Sequence, residues 1–318
     1  MRVALLFLLG GCATLDSFVH GGIPCDDVGP DTCSESNNVW DNICVTCDEE
    51  YDWSKAYPWM DGTLAEGESI RNPSDVTRFT LDTTDGLGAL DGYFIPTHGE
   101  FPPYAKTTIV YNHGNYAGIE HYQPRVYMLH ELGFNVLVWD YRGYGKSRPV
   151  TSPSPEQFMA DAVQIRDFAD TVSPDVTRII PYAFSLGGIP VMEMASERDN
   201  CAIILEAAFT SLGQVMSNNT ATGMPATFLS SGDYEGTEKM ANYGGPVFAM
   251  IGTKDRKFTV ASWEEILEKA TGPKELWVLD GVDHGIASRG VPEAGFTEYG
   301  TRILTFLETH APACIEVN

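Results

Sequence analysis

The stretch Ala183-Phe184-Ser185-Leu186-Gly187-Gly188 sets a serine among small residues, after a β-branched run and before an apolar helical stretch at 189–198. A serine on a tight strand-to-helix turn projects its hydroxyl from strained backbone, and the residues two before and two after it must be small to avoid colliding. Ala183 and Gly187 meet that need, with alanine standing where the usual motif has glycine. The chemistry available is nucleophilic attack on a carbonyl carbon, whose oxygen then turns anionic and needs preorganised N–H donors. One donor is the residue after the nucleophile, Leu186; His113-Gly114-Asn115 ends an earlier strand where the second is needed, so the backbone N–H groups of Asn115 and Leu186 are the expected oxyanion hole. Gly114 lets that loop approach closely, and His113 reads as a structural hydrogen-bonding residue rather than a base.

A serine hydroxyl at its ordinary pKa is a poor nucleophile, so a histidine must take its proton and an acid must orient the ring. His284 suits this task, because it follows the last strand on a loop between Gly281 and Gly285. His20, His98, His121, His130 and His310 fall instead in the N-terminal segment, the hairpin region, the first helix or near the C-terminus. Asp283 adjoins the histidine and is badly placed to meet its ring. Tyr116 and Phe184, beside the expected donor and the nucleophile, are candidates for lining an acyl pocket.

Four motifs carry a wider likeness: Tyr111-Asn112-His113-Gly114-Asn115, Asp140-Tyr141-Arg142-Gly143-Tyr144-Gly145-Lys146-Ser147, the serine turn, and Gly252-Thr253-Lys254-Asp255. Through them residues 76–310 resemble the α/β-hydrolase superfamily, nearest to its single-domain BEM46-like serine hydrolases. The resemblance implies the chain order serine, acid, histidine, hence Asp255 as the acid. Glu206 also ends a strand and is the alternative, since some members place the acid after that earlier strand. The second motif is expected to be a tight turn braced by Arg142. Esterase-like chemistry on a small-molecule or lipid-like ester is implied, through an acyl-enzyme and without a cofactor. Peptide or amide cleavage by the same triad, and a surface-tethered binding module that keeps the fold without turnover, are the competing readings.

Positioning such groups takes alternating strands and crossover helices. Strand-like runs at 107–111, 135–139, 178–182, 202–205, 247–251 and 276–279 suit a parallel sheet, and 76–81 with 89–95 suit an antiparallel hairpin turning at Asp85 and Gly86. Pro181 is unusual within such a run because it cannot donate a ladder hydrogen bond. A capping box from Ser154 to Gln157, with Pro155 at the first helical position, predicts a helix to about residue 172. The expected fold is therefore α/β, a mostly parallel sheet with helices on both faces, occupying 76–318. Residues 207–245 have mixed character and suit either a small cap or surface helix and loop.

Before that domain, residues 12–75 read as a tether and a small Cys-rich segment with too few apolar residues for a core of its own. Residues 1–11 carry Arg2 and a short apolar run, and Leu9-Gly10-Gly11-Cys12 resembles a bacterial lipoprotein signal, with Cys12 as the lipidated residue. The expectation is an exported protein anchored by lipid to a bacterial membrane. Cys25, Cys33, Cys44, Cys47, Cys201 and Cys314 remain, an even number suited to disulfides, and the core of the main domain is expected to stand without crosslinks. Cys44 and Cys47 also have the spacing of a zinc pair, without matching partners. A net charge of -24 with Lys and Arg scattered singly opposes nucleic-acid binding.

Overall fold

The computed structural model describes residues 51, 53, 75–97, 103–115, 118–149, 153–209, 234–284 and 295–315. Cys12, the four cysteines between 25 and 47, and Tyr116 lie outside them. Eight strands form one sheet: β1 (Thr77–Asp82), β2 (Ala89–Ile95), β3 (Thr108–Asn112), β4 (Asn135–Trp139), β5 (Ile179–Phe184), β6 (Ile203–Glu206), β7 (Val247–Gly252) and β8 (Lys274–Leu279). Their order is β1-β2-β4-β3-β5-β6-β7-β8. The expected hairpin is present, with Thr77 opposite Phe94 and Gly86 at φ 68°, and β2 pairs antiparallel with β4; every later pairing is parallel. Strands β3 to β7 are buried along their whole length, which is why they read as apolar runs without alternation.

Among the described residues the helices are α1 (Ile119–Glu131), α2 (Pro155–Val172), α3 (Gly188–Glu197), α4 (Gly236–Asn242), α5 (Val260–Lys269) and α6 (Phe296–His310). α1 and α6 share one face, where Gly300 of α6 packs on Leu132 at the end of α1. The chain reverses direction across the sheet after β4, so right-handed crossovers put α2 and α3 on the other face. There Arg198 pairs with Asp167, and Lys239 of α4 pairs with Glu193 of α3. The capping box forms as expected: Ser154 Oγ accepts from Gln157 N, and the Gln157 side chain accepts from Ser154 N. Pro181 does sit in central strand β5, opposite Val110 of β3; pairing to β6 starts one residue later, at Tyr182. None of these helices is long and apolar enough to cross a membrane.

A disulfide and two N-terminal side chains add to this organisation. Cys201, entering β6, is bonded to Cys314, beyond α6, with Cα atoms 5.3 Å apart, so these two of the expected disulfide cysteines pair within the main domain. Tyr51 and Trp53, from the segment read as a tether and Cys-rich stretch, are 5% and 9% exposed and belong to the core. Trp53 packs on Tyr93 and Tyr127, and its carbonyl accepts from the Tyr127 hydroxyl. Tyr51 donates to Asp140 Oδ2 at 3.1 Å.

Candidate active site

Ser185 opens a 3-10 turn between β5 and α3 and holds φ at 50°, a left-handed value costly for a residue with a Cβ. The turn is tight enough to dictate its neighbours. A Cβ on Gly187 would lie 2.1 Å from the Asn112 carbonyl oxygen, and one on Gly188 would lie 2.1 Å from that of Phe209. Phe209 N in turn donates to Ser185 O at 2.7 Å. The conformation is thus held from β3 on one side and from the end of β6 on the other.

His284 arrives from the loop after β8. That loop is bound to the one after β7, because Lys254 N donates to Val282 O at 2.8 Å and Gly281 N to Thr253 Oγ1 at 2.8 Å. A Cβ on Gly252 would meet the Val282 oxygen at 2.2 Å, so the two loops lie in contact. Their joint effect is to set Asp255 Oδ2 2.8 Å from His284 Nδ1, with Ser185 Oγ 2.9 Å from Nε2 of the same ring. A carboxylate only accepts, so Nδ1 donates to Asp255 and Nε2 is left to accept from the serine. Asp255 Oδ1 accepts from Lys257 N and Phe258 N at 2.8 and 3.0 Å, which fixes the carboxylate. Asp283 binds the backbone N–H of His284 at 2.7 Å. Glu206 is engaged elsewhere: its oxygens meet Tyr182 and Arg125.

Asn115 and Leu186 follow β3 and β5, which are adjacent parallel strands with Asn112 opposite Ala183, so the two segments leave the same sheet edge side by side. Asn115 Oδ1 accepts from Tyr144 O–H at 2.6 Å. His113 is fully buried, stacks on Tyr141 with centroids 4.0 Å apart, and donates from Nδ1 to Gly114 O at 2.8 Å. Burial pushes its pKa down to about 3, so it stays neutral. Phe184 and Phe258 flank the His284 ring at 5.7 and 5.5 Å between centroids. Arg142 braces its turn as expected, bridging Asp161 and Asp85 at 2.7 Å each. Among the described residues no three His, Cys, Asp or Glu side chains gather as a metal site.

The chain is similar to known proteins in sequence and in fold. Residues 103–230 match the family model "serine aminopeptidase, S33". The chain is similar to the uncharacterized protein Rv2307c of Mycobacterium tuberculosis, with 29% identity over 205 residues, 64% of this chain and 70% of that one. It is also similar to the uncharacterized protein YfhR of Escherichia coli K12, 28% identical over 202 residues, covering 61% and 69%. Among solved structures, the esterase Pf2001 of Pyrococcus furiosus superposes with a TM-score of 0.60 at 22% identity, over 77% of this chain and 94% of that one. The chain has the α/β-hydrolase fold. The acylaminoacyl peptidase of Pyrococcus horikoshii shares the fold at a TM-score of 0.55 and 15% identity, over 75% of this chain and 42% of the peptidase.

Sequence reasoning missed Arg125, whose guanidinium lies over the Phe184 ring, and Tyr51, which reaches Asp140 beneath the start of α1. Arg125 left no periodic signal, since α1 is buried along most of its length.

Proposed function

We propose that the protein is a serine hydrolase that cleaves carboxylic esters through an acyl-enzyme, in the manner of the BEM46-like hydrolases. The observation that carries this reading is the unbroken chain from Ser185 Oγ through the His284 ring to Asp255, at 2.9 and 2.8 Å. Ser185 attacks the ester carbonyl while His284 Nε2 takes its proton, and Asp255 stabilises the imidazolium that forms. The N–H groups of Leu186 and Asn115 receive the developing oxyanion. His284 then returns the proton to the leaving alcohol, and water repeats the sequence on the acyl-enzyme. The aromatic walls Phe184 and Phe258 favour an apolar acyl group.

Labelling with a fluorophosphonate, followed by peptide mapping, tests the nucleophile; modification elsewhere than Ser185, or none, would sink the proposal. A panel of p-nitrophenyl esters of increasing chain length, run beside aminoacyl and peptidyl anilides, then separates ester from amide cleavage. The amide reading draws its support from the serine aminopeptidase description of the matching family model.

For its location, we propose export and lipid anchoring at Cys12 in a bacterial membrane. Two acyl chains anchor durably where one does so only marginally, at about 0.8 kcal/mol per buried CH₂. Cys12→Ser should release the protein from the membrane fraction; a variant that stayed there, with unchanged processing by mass spectrometry, would end this reading.

A further inference from the structure

Arg125 and Glu206 form a buried ion pair that the acyl-transfer steps do not use. Arg125 Nη2 stands 3.0 Å from Glu206 Oε1, with 8% and 1% of the side chains exposed. Such pairs contribute little net stability, because desolvating both charges offsets their attraction, so a stability role explains this one poorly. Its geometry offers another. Tyr182 O–H donates to Glu206 Oε2 at 2.6 Å and meets the Tyr299 hydroxyl at 2.9 Å, while Arg125 Nη1 reaches the Tyr111 hydroxyl at 3.5 Å. The guanidinium is tied in this way to side chains of β3 and β6. It lies against the ring of Phe184, with Cζ 3.4 Å from the ring centroid.

Phe184 is the residue immediately before the nucleophile, and its ring touches the site twice more. A Cβ on Gly114, in the oxyanion loop, would come within 2.8 Å of Phe184 Cδ1 and Cε1. The His284 ring lies 5.7 Å away between centroids. One phenyl ring therefore separates the oxyanion loop, the nucleophile's backbone and the base, and the face it turns to Arg125 is covered by a plane held still by cation–π attraction, the Tyr111 hydroxyl of β3 and the Glu206 carboxylate of β6.

We infer that Arg125, oriented by Glu206, is a positioning residue: it fixes the Phe184 ring and thereby the spacing between the Gly114–Asn115 loop and Ser185. Because the opposite charges of Arg125 and Glu206 lie in contact, the influence is one of geometry rather than of net field. The inference rests on the acyl-transfer reading above.

The test uses the full chain and three readouts: kcat and KM on a short p-nitrophenyl ester, the rate of fluorophosphonate labelling, and thermal unfolding. The double variant Arg125→Met with Glu206→Gln removes both charges, so neither is left buried alone. Arg125→Lys keeps the charge but not the plane. Both variants should unfold cooperatively, with kcat and the labelling rate falling together by about tenfold or more, as expected of a small misplacement of reacting groups. KM on this short ester should change by less than about twofold, since a short acyl chain makes little use of the Phe184 wall. A folded double variant with wild-type kcat and labelling rate overturns the inference. Should the double variant not fold, Arg125→Lys decides: wild-type rates overturn the inference, and a loss of kcat at constant KM supports it. Failure of the wild-type protein itself to label is a different result, which removes the hydrolase reading and this inference with it.

Discussion

Asp255 Oδ2 accepts the Nδ1–H of His284 at 2.8 Å, whereas Glu206, the alternative acid at the end of β6, has its two oxygens engaged by Tyr182 and Arg125. Two carboxylates at the same sheet edge are thus given different work by their neighbours.

Exchanging each for its amide separates them. Asp255→Asn presents a donor to Nδ1 and favours the wrong tautomer, so kcat should fall by about 10³-fold or more while the melting temperature stays close to wild type. Glu206→Gln leaves Arg125 buried beside a neutral partner; it should cost about 3 kcal/mol in stability, yet lower kcat by less than about tenfold. Steady-state kinetics and thermal unfolding on both variants check this, and the reverse pattern would make Glu206 the catalytic acid.

Gly187→Ala tests the turn that carries Ser185. The new methyl group would overlap the Asn112 carbonyl, whose oxygen lies 2.1 Å from the Cβ position. Backbone must yield, at a cost of about 1–3 kcal/mol, and the yielding element is the one that aims Ser185. A lower melting temperature together with slower fluorophosphonate labelling is expected; unchanged labelling would show that the turn tolerates a side chain.

Asp140 should give the protein a pH-dependent stability near neutrality. Burial raises its pKa to about 7, against the lowering effect of the N–H groups of Ile119 and Lys146. In the unfolded chain the group titrates near the ordinary Asp value of about 3.9, so between that pH and about 7 the folded state holds the extra proton. Stability therefore falls as pH rises through this window. Asp140→Asn mimics the protonated form, so its melting temperature should rise relative to wild type on going from pH 5 to pH 8. A constant difference across that range would count against a raised pKa.

The docked aromatic pair makes Tyr51 and Trp53 part of the folding unit. Tyr51→Phe removes the hydroxyl that donates to Asp140, a loss of about 1–3 kcal/mol. Trp53→Ala empties the contact with Tyr93 and Tyr127 and should destabilise further. Trimming the chain before residue 75 by limited proteolysis should lower the melting temperature, and a trimmed protein as stable as the intact one would contradict the docking.

Much of this molecule is written in local pattern. The bounds of β2 and β4 coincide with the runs read from sequence, and α2 begins at its capping box, because apolar runs and caps act over a few residues. Ser185, Asp255 and His284 were legible because each follows a strand, and a parallel sheet gathers strand ends at one edge. Arg125 was not: α1 buries Glu120, Gln123, Arg125 and His130 along with its apolar residues, so the amphipathic period that usually marks a helix face is absent. Tyr51 and Trp53 sit in a polar stretch, and their partners Tyr93, Tyr127 and Asp140 come together only after the sheet forms. The even cysteine count pointed to crosslinks but not to which residues would meet.

The bond between Cys201 and Cys314, residues 113 positions apart, turns part of the chain into a ring. Asp255 and His284 ride inside that ring, and Ser185 and Asn115 lie on the open chain that precedes it. Closing so long a loop restricts the unfolded ensemble, worth about 4–5 kcal/mol on the chain-entropy account. It also gives the oxidised protein a tolerance that its reduced form lacks. A single peptide bond cut anywhere between 202 and 313 leaves one covalent molecule, with Asp255 and His284 still tied to the half that bears Ser185, whereas the same cut after reduction yields two separable fragments.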